Sequence, residues 1–511
     1  MKHVRTAKSP GFAALFTPKL VTVLREGYGL ASLRADLIAG LTVAVVALPL
    51  SMAIAMASGA SPAQGLYTSI VGGFVVSLLG GSRFQIGGPA GAFIVLVAAT
   101  VQAHGMAGLL LATLLSGVML AMIGWLRLGS LIRLIPYPVT VGFTAGIALI
   151  IFASQLKPLL GLTFAGQEPG PLLEKLPAIW QALPTASPVT MALALATIAT
   201  IVLVKRVRPR WPGMLVAIAV TAGATALLGL PVATIGSAFG GIPETLPMPS
   251  LPALSWHKVI EVLPSAVAFT LLGAIESLLS AVVADGMSGR RHRANCELVA
   301  QGVANVASAL FGGICVTGTI ARTATNVRAG AVSPIAGMLH ALLLLLFILL
   351  AAPLLDYIPL ASLAGVLAVV AWNMIEKHAF VSLLRASRGD AAVLLITLLL
   401  TVFRDLTEGI LAGTLLGALL FIQRMSRTVG RRRCPGCRRT WRIRASTTVT
   451  QGCHPPTPSW WSIGLRRLVL RRRHLDRVDP FAGVRPPPRA DSRLHRGTLH
   501  RCHAAARWRA C

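Results

Sequence analysis

The sequence predicts an all-α polytopic membrane protein of fourteen segments in a 7+7 inverted repeat, its two short half-helices (segments 3 and 10) meeting at the midplane. Three observations carry this. The 511 residues are 55% hydrophobic and only 13% charged, against about 25% charged in soluble domains, and mean hydropathy is +0.73. Apolar blocks recur along the chain, most of them long enough to cross about 30 Å of hydrocarbon. Glycine- and proline-marked boundaries also return at a nearly constant offset.

The apolar blocks lie near 37–57, 64–80, 86–102, 106–126, 137–155, 189–205, 211–229, 260–284, 297–311, 318–330, 333–352, 358–374, 391–404 and 408–423. Residues 1–35 read as a cytoplasmic N-terminal segment. Its basic start (Lys2, Arg5, Lys8) leads into a run broken at Pro18-Lys19, which lacks the apolar stretch and cleavage site of a signal peptide. With that end cytoplasmic, loops after even-numbered segments should carry the Lys and Arg. Arg127 and Arg133 follow segment 4, and Lys205 to Arg210 follows segment 6. Arg290, Arg291 and Arg293 follow segment 8, and Lys377, Arg385 and Arg388 follow segment 12. Lys157, Lys175 and Lys258 are the main exceptions. An even count with both termini cytoplasmic fits this pattern.

The repeat is read from two pairs. Gly87-Gly88-Pro89-Ala90-Gly91 opens segment 3, and Gly312-Gly313 introduces segment 10, 224 residues after Gly88. Ile135-Pro136 opens segment 5, and Ile358-Pro359 opens segment 12, 223 residues later. An offset of seven segments is odd, so the second copy is inverted. Paired glycine-interrupted segments in two halves point to a transporter's midplane site. The competing reading is that Gly and Pro are simply common in membrane helices.

In such a fold the N-termini of segments 3 and 10 face each other. Each brings unpaired backbone N–H groups and about half a positive charge. The small residues Gly88, Pro89, Ala90, Gly91, Ala92 and Thr317, Gly318, Thr319, Ala321 let a solute approach the backbone, and two threonines can offer hydroxyls. Arg322 adds a full positive charge at a depth where insertion costs about 3 kcal/mol, so its presence calls for a function. Together these residues form a candidate anion site; the alternative is close helix packing by small residues. Segment 8 carries Glu276, the one carboxylate in its apolar stretch. An intramembrane carboxylate marks an ion or proton pathway, and a carboxyl removed from water takes up a proton more readily. The alternative is a static pair with Arg322. Asp285 reads as interfacial, and His104, His340 and Cys315, which lack partners at ligand spacing, as core or interface residues. No nucleophile–base pair or metal-ligand cluster recurs in the apolar region, which argues against an enzyme; no cofactor is expected.

Pro49-Leu50-Ser51-Met52-Ala53, then Gly59 to Pro62 and Gly65 to Ser69, resemble the first-helix signature of SulP anion transporters. Gly81-Ser82-Arg83 leading to Gly88-Pro89, and Leu298 through Gly313, match further stretches. The resemblance covers roughly residues 30–427. It implies a transporter domain over 36–427, with a core (36–130 and 260–352) moving against a gate (131–259 and 353–427) and an anion held between segments 3 and 10. LGAIESLLSAVVADGM and TIARTATNVRAGAVSPI look most like bacterial C4-dicarboxylate carriers of the family. Bicarbonate relatives carry Asp at the Glu276 position, where it serves sodium, so Glu276 favours a proton. Leu50 departs from the Gln found after this proline in many members.

The family continues into a cytoplasmic STAS domain, whose alternating strands are missing from residues 428–511. These hold 20 Arg, no Lys and 3 Asp, a net +17, together with five of the seven cysteines. They read as an Arg-rich disordered tail, typical of GC-rich coding DNA translated out of frame. Cys434-Pro435-Gly436-Cys437 has zinc-ribbon spacing without a second CxxC, and an arginine-rich arm could touch nucleic acid or anionic lipid.

The function expected is secondary active transport of a small anion, of the sulfate or C4-dicarboxylate class, by alternating access with proton coupling. It would work across a bacterial cytoplasmic membrane, as a homodimer, without nucleic acid as partner. The alternatives are an uncoupled anion channel or a sodium-coupled bicarbonate transporter on the same fold.

Overall fold

The computed structural model describes residues 15–129, 136–164, 172–208, 211–243, 245–252, 254–404 and 406–430. The chain divides into units Met1–Arg433 and Cys434–Cys511. The fold below is that of the first; all but three residues of the Arg-rich tail lie outside the described residues.

Lipid offers backbone groups no partners, so each apolar block closes its own hydrogen bonds as helix. After a short helix α1 (Lys19–Glu26), segment 1 is α2 (Leu30–Ala57). Segment 2 is α3 (Pro62–Tyr67), a π turn (Thr68–Gly72) and α4 (Gly73–Leu79). Ser61 starts it with a reciprocal cap to Gln64, and Pro62, which has no N–H, sits in the first turn where none would find a helical acceptor. Strand β1 (Gly87–Gly88) and a 3-10 turn (Gly91–Phe93) lead into α5 (Ile94–Trp125). The two segments predicted here follow one another directly within α5 and are parted at Gly105, whose φ of +67° breaks the helix in a conformation open chiefly to glycine.

Segments 5, 6 and 7 are α6 (Tyr137–Leu160), α8 (Pro188–Val207) and α9 (Gly213–Leu228), with α7 (Leu172–Ala182) between the first two. A short α10 (Ile235–Phe239) precedes segments 8 and 9, α11 (Trp256–Ser288) and α12 (Ala294–Leu310). Strand β2 (Thr317–Gly318) then opens segment 10, the nine-residue α13 (Ile320–Arg328). Segments 11 to 14 are α14 (Ile335–Leu355), α15 (Leu360–Met374), α17 (Arg388–Phe403) and α18 (Leu406–Gly430), with α16 (Lys377–Ala386) before α17. Among the described residues eight helices are long and apolar enough to cross a membrane. The number falls below fourteen because segments 3 and 4, joined at the Gly105 break, form one span and several others are short.

Small residues let the helices touch backbone to backbone. A Cβ on Gly117 of α5 would stand 2.7 Å from the Gly302 carbonyl of α12, and one on Gly302 would stand 2.5 Å from the Gly117 carbonyl. Gly65 meets the Ser51 carbonyl, and Gly40 meets that of Ala336, at similarly short range. Two buried carboxylates tie the helix ends. Asp36 accepts hydrogen bonds from Tyr28 Oη at 2.8 Å, Val332 N at 2.7 Å, Ser333 N at 3.1 Å and the Ser333 hydroxyl. Glu297 accepts from Gly81 N at 2.8 Å, Ser82 N at 3.0 Å and Gln301 Nε2 at 3.1 Å. Arg83 donates to both carboxylate oxygens of Glu26 at 2.6 Å, and this bond holds the exposed Glu26 carboxyl below its ordinary range.

Asp36→Ala leaves two backbone N–H groups and two hydroxyls without their acceptor, at a cost of about 3 kcal/mol. Thermal unfolding in detergent should show a midpoint several degrees lower. Glu261→Ala, whose carboxylate meets the exposed His257, should leave it unmoved.

Candidate functional site

Strands β1 and β2 pair antiparallel, Gly87 with Gly318 and Gly88 with Thr317. Each is followed at once by its half-helix, so the pairing sets the two helix openings side by side. The sequence shows no strand here, because two residues are too short for any alternation to register. A Cβ at Gly318 would overlap the Gln85 side chain, and one at Gly87 would stand 2.8 Å from Val76 Cγ2. Glycine is what lets the strands close.

Arg322, in the first turn of α13, is 1% exposed. Its Nη1 donates to Ser69 Oγ at 3.2 Å and its Nη2 to Ser51 Oγ at 3.1 Å. The Ser51 hydroxyl donates to the Ala47 carbonyl at 2.6 Å, which makes Ser69 the donor in the 2.7 Å contact between the two serines. The guanidinium therefore rests on a relay of neutral hydroxyls reaching into segments 1 and 2. Its Nε is buried without a partner. The side chain lies against Gly88, where a Cβ would stand 2.2 Å from Nη1. Among the described residues it forms no ion pair.

The other expected residues divide in two. Pro89 and Ala90 are buried and Gly91 is partly open, in the turn that starts segment 3. There, as at Ile320 and Ala321, the first N–H groups of a helix have no intrahelical acceptor. Ala321 is exposed and offers its backbone rather than its side chain. The threonine hydroxyls, expected to face a solute, are turned inward in this conformation. Thr317 Oγ1 lies 2.9 Å from Ser277 Oγ, and Thr319 Oγ1 donates to the Ile86 carbonyl at 3.3 Å.

Glu276 precedes Ser277 on α11, and its Oε2 is buried without a hydrogen-bond partner. No ion pair joins it to Arg322, so the static pair considered from sequence is not formed here. Gln85 bonds to the next residue of α11: Nε2 donates to the Ser277 carbonyl at 3.1 Å, and Oε1 is buried and unpartnered. Ser280 donates to Thr323 Oγ1 at 3.1 Å, and Thr323 Oγ1 in turn accepts from Ile86 N at 3.1 Å. Sequence reasoning missed Ser51, Ser69, Gln85 and Thr323. Isolated polar residues in apolar helices carry no periodicity that assigns them a partner. Among the described residues no group of three His, Cys, Asp or Glu could hold a metal; the CxxC of the tail lies outside them.

Comparison with known proteins identifies the family. Residues 33–397 match the Sulfate permease family. A putative sulfate transporter of Bacillus subtilis, YvdB, is 44% identical over 403 residues, covering 78% of this chain and 76% of that protein. The bicarbonate transporter BicA of Picosynechococcus is 34% identical over 411 residues, 77% of this chain and 71% of its own. The solved transmembrane domain of a cyanobacterial BicA superposes with a TM-score of 0.67 at 30% identity, covering 76% of this chain and 98% of that domain. Its relatives are named transporters, its fold superposes on a solved transporter domain, and the chain belongs to the sulfate permease family.

Proposed function

We propose that the protein is a secondary active carrier of a small anion, working by alternating access and coupled to protons. One observation carries this: a guanidinium, 1% exposed, supported by two serine hydroxyls and no counter-charge, at the paired openings of two half-helices. A buried cation without an anionic partner is costly, by several kcal/mol even after relaxation. Position sharpens the demand, since Arg322 sits in the first turn of α13, at the positive end of the helix dipole. A small oxyanion meeting Arg322 and the N–H groups at Gly91, Ala92, Ile320 and Ala321 would relieve both. In this reading Gly88, Pro89, Ala90, Gly91, Thr317, Gly318, Thr319, Ala321 and Arg322 form the anion site.

Glu276 is the coupling residue in this proposal. Its unpartnered oxygen is free to receive a proton, and Gln85 Oε1 is an acceptor without a donor in the same network. Sulfate is the first substrate to test, given the relative named a putative sulfate transporter, with C4-dicarboxylates beside it. A second reading, sodium-coupled bicarbonate transport, draws on the likeness to BicA. The 7+7 inverted repeat, cytoplasmic termini and a homodimer complete the proposal, supported by the segment offsets, the loop charges and the family pattern.

Uptake of sulfate, succinate and bicarbonate into proteoliposomes, each with and without a proton gradient, tests it. Concentration of one anion against its own gradient, driven by protons, is expected; flux that only ever runs downhill would make the protein a channel. Arg322→Ala should abolish anion binding in a folded protein, and unchanged affinity would refute its role. Glu276→Gln should keep anion binding and lose the response to the proton gradient.

Gly88→Ala tests the site without altering any charge. The new methyl, 2.2 Å from Arg322 Nη1 and 3.0 Å from Ser69 Oγ, displaces the guanidinium. Anion affinity measured by calorimetry should fall about tenfold or more, the equivalent of one lost charged hydrogen bond. Gly286→Ala, where a Cβ meets nothing within 4 Å, should bind as the parent does.

A further inference from the structure

Two side chains from helices outside the paired half-helices close over the opening of segment 3. A Cβ on Gly91 would stand 3.4 Å from Met374 Sδ and 3.6 Å from Ile151 Cδ1. Ile151, on α6, is 0% exposed and lies in the main apolar cluster, and Met374, the last residue of α15, packs partly buried against that cluster. The residues next to Met374 in sequence line a surface cavity of about 480 Å³, with Asn373, Glu376, Lys377 and His378 among its walls. Its polar groups are held in place: Lys377 Nζ lies 3.5 Å from the centroid of the Trp372 ring, and Tyr137 Oη donates to Glu376 Oε2 at 2.9 Å. The second contact ties the first residue of α6 to the link between α15 and α16. Met374 is not part of the cavity wall; its sulfur lies at Gly91.

We propose that Met374, which is only partly buried, is a displaceable apolar gate over the helix opening at Gly91 and Ala92, with Ile151 as its fixed counterpart. The proposal rests on the anion-site reading above. A hydrated anion does not cross a dry apolar constriction, and such constrictions gate by excluding water. The two residues differ as a gate and its post should. Methionine is unbranched, with three rotatable bonds and a soft sulfur, and changes shape cheaply. Isoleucine is branched at Cβ and stiff. Gly91 contributes by having no side chain, so that a swing of Met374 uncovers backbone N–H groups directly. Met374 thus controls access to the site rather than affinity within it.

The competing account is that Met374 is ordinary packing between helices. Access to the site can be read without knowing the transported anion. Ala90→Cys is placed in the full chain, reconstituted in vesicles, and its modification by a small anionic methanethiosulfonate is timed. Samples lacking Ala90→Cys correct for the native cysteines. Adding Met374→Ala should raise the rate about tenfold, as for a barrier lowered by 1.4 kcal/mol, whereas Met374→Leu, of similar volume, should leave it near the parent's. Gly91→Cys gives the same reading at a second position. An equal rate with methionine and alanine overturns the gate. Sulfate and bicarbonate uptake by the unmodified chain is measured separately. The gate can therefore fail while transport stands, or hold while those anions are refused.

Discussion

The constraint on which the rest of this structure depends is a cation out of reach of water with no anion beside it. Arg322 can be kept there only if the groups around it satisfy its N–H donors without neutralising its charge. Two serine hydroxyls do this, each from a different segment, and they are linked to each other and to the Ala47 carbonyl. That arrangement fixes much else. Gly88 must lack a side chain, because the guanidinium occupies the space a methyl would take. The Ser51 turn must stand against Gly65, where a Cβ would meet the Ser51 carbonyl at 2.2 Å. Segments 1, 2, 3 and 10 are thus locked around one side chain.

The surrounding polar groups follow a related economy. Ser277, Thr317, Ser280, Thr323, Gln85 and the backbone of Ile86 bond among themselves, which lets strands and half-helices end inside the protein where lipid would not tolerate them. Farther out, Asp36 and Glu297 serve backbone N–H groups at chain turns, the role that water would play in a soluble protein. Family membership and fold agree with this division, in which nearly every buried polar atom near the site is spoken for. Among the described residues the exceptions include Arg322 Nε, Glu276 Oε2 and Gln85 Oε1, together with Asn326 Oδ1 and both ring nitrogens of His340.

Much of this was legible in the sequence. Apolar length set the order of the segments, glycine-marked boundaries singled out segments 3 and 10, and a charge amid small residues singled out Arg322. What escaped did so for physical reasons. The β1–β2 pairing rests on two residues per strand, below any periodic signal. Helices α7 and α16 were missed because hydropathy selects for length and apolarity, which short, part-polar helices lack. Ser51 lies inside the stretch that carries the family resemblance, yet its role depends on a partner 271 residues away. Glu276 was read correctly as isolated from other acids, but only coordinates could separate an unpartnered carboxylate from one paired with Arg322.

Gly105 has a mechanical consequence. It is the one residue inside α5 with non-helical angles, so the half-helix beginning at Gly91 and the longer arm after Gly105 form a lever with a single elbow. The longer arm is clamped to α12, glycine against glycine, at Gly117 and Gly302. From Gly105 back to Gly91 the short arm measures about 20 Å at helical rise. A flex of about 5° at the elbow therefore carries the tip through about 2 Å, enough to make or break a hydrogen bond. One glycine can thus translate a slight tilt of the clamped arm into a displacement of the helix opening at the other end.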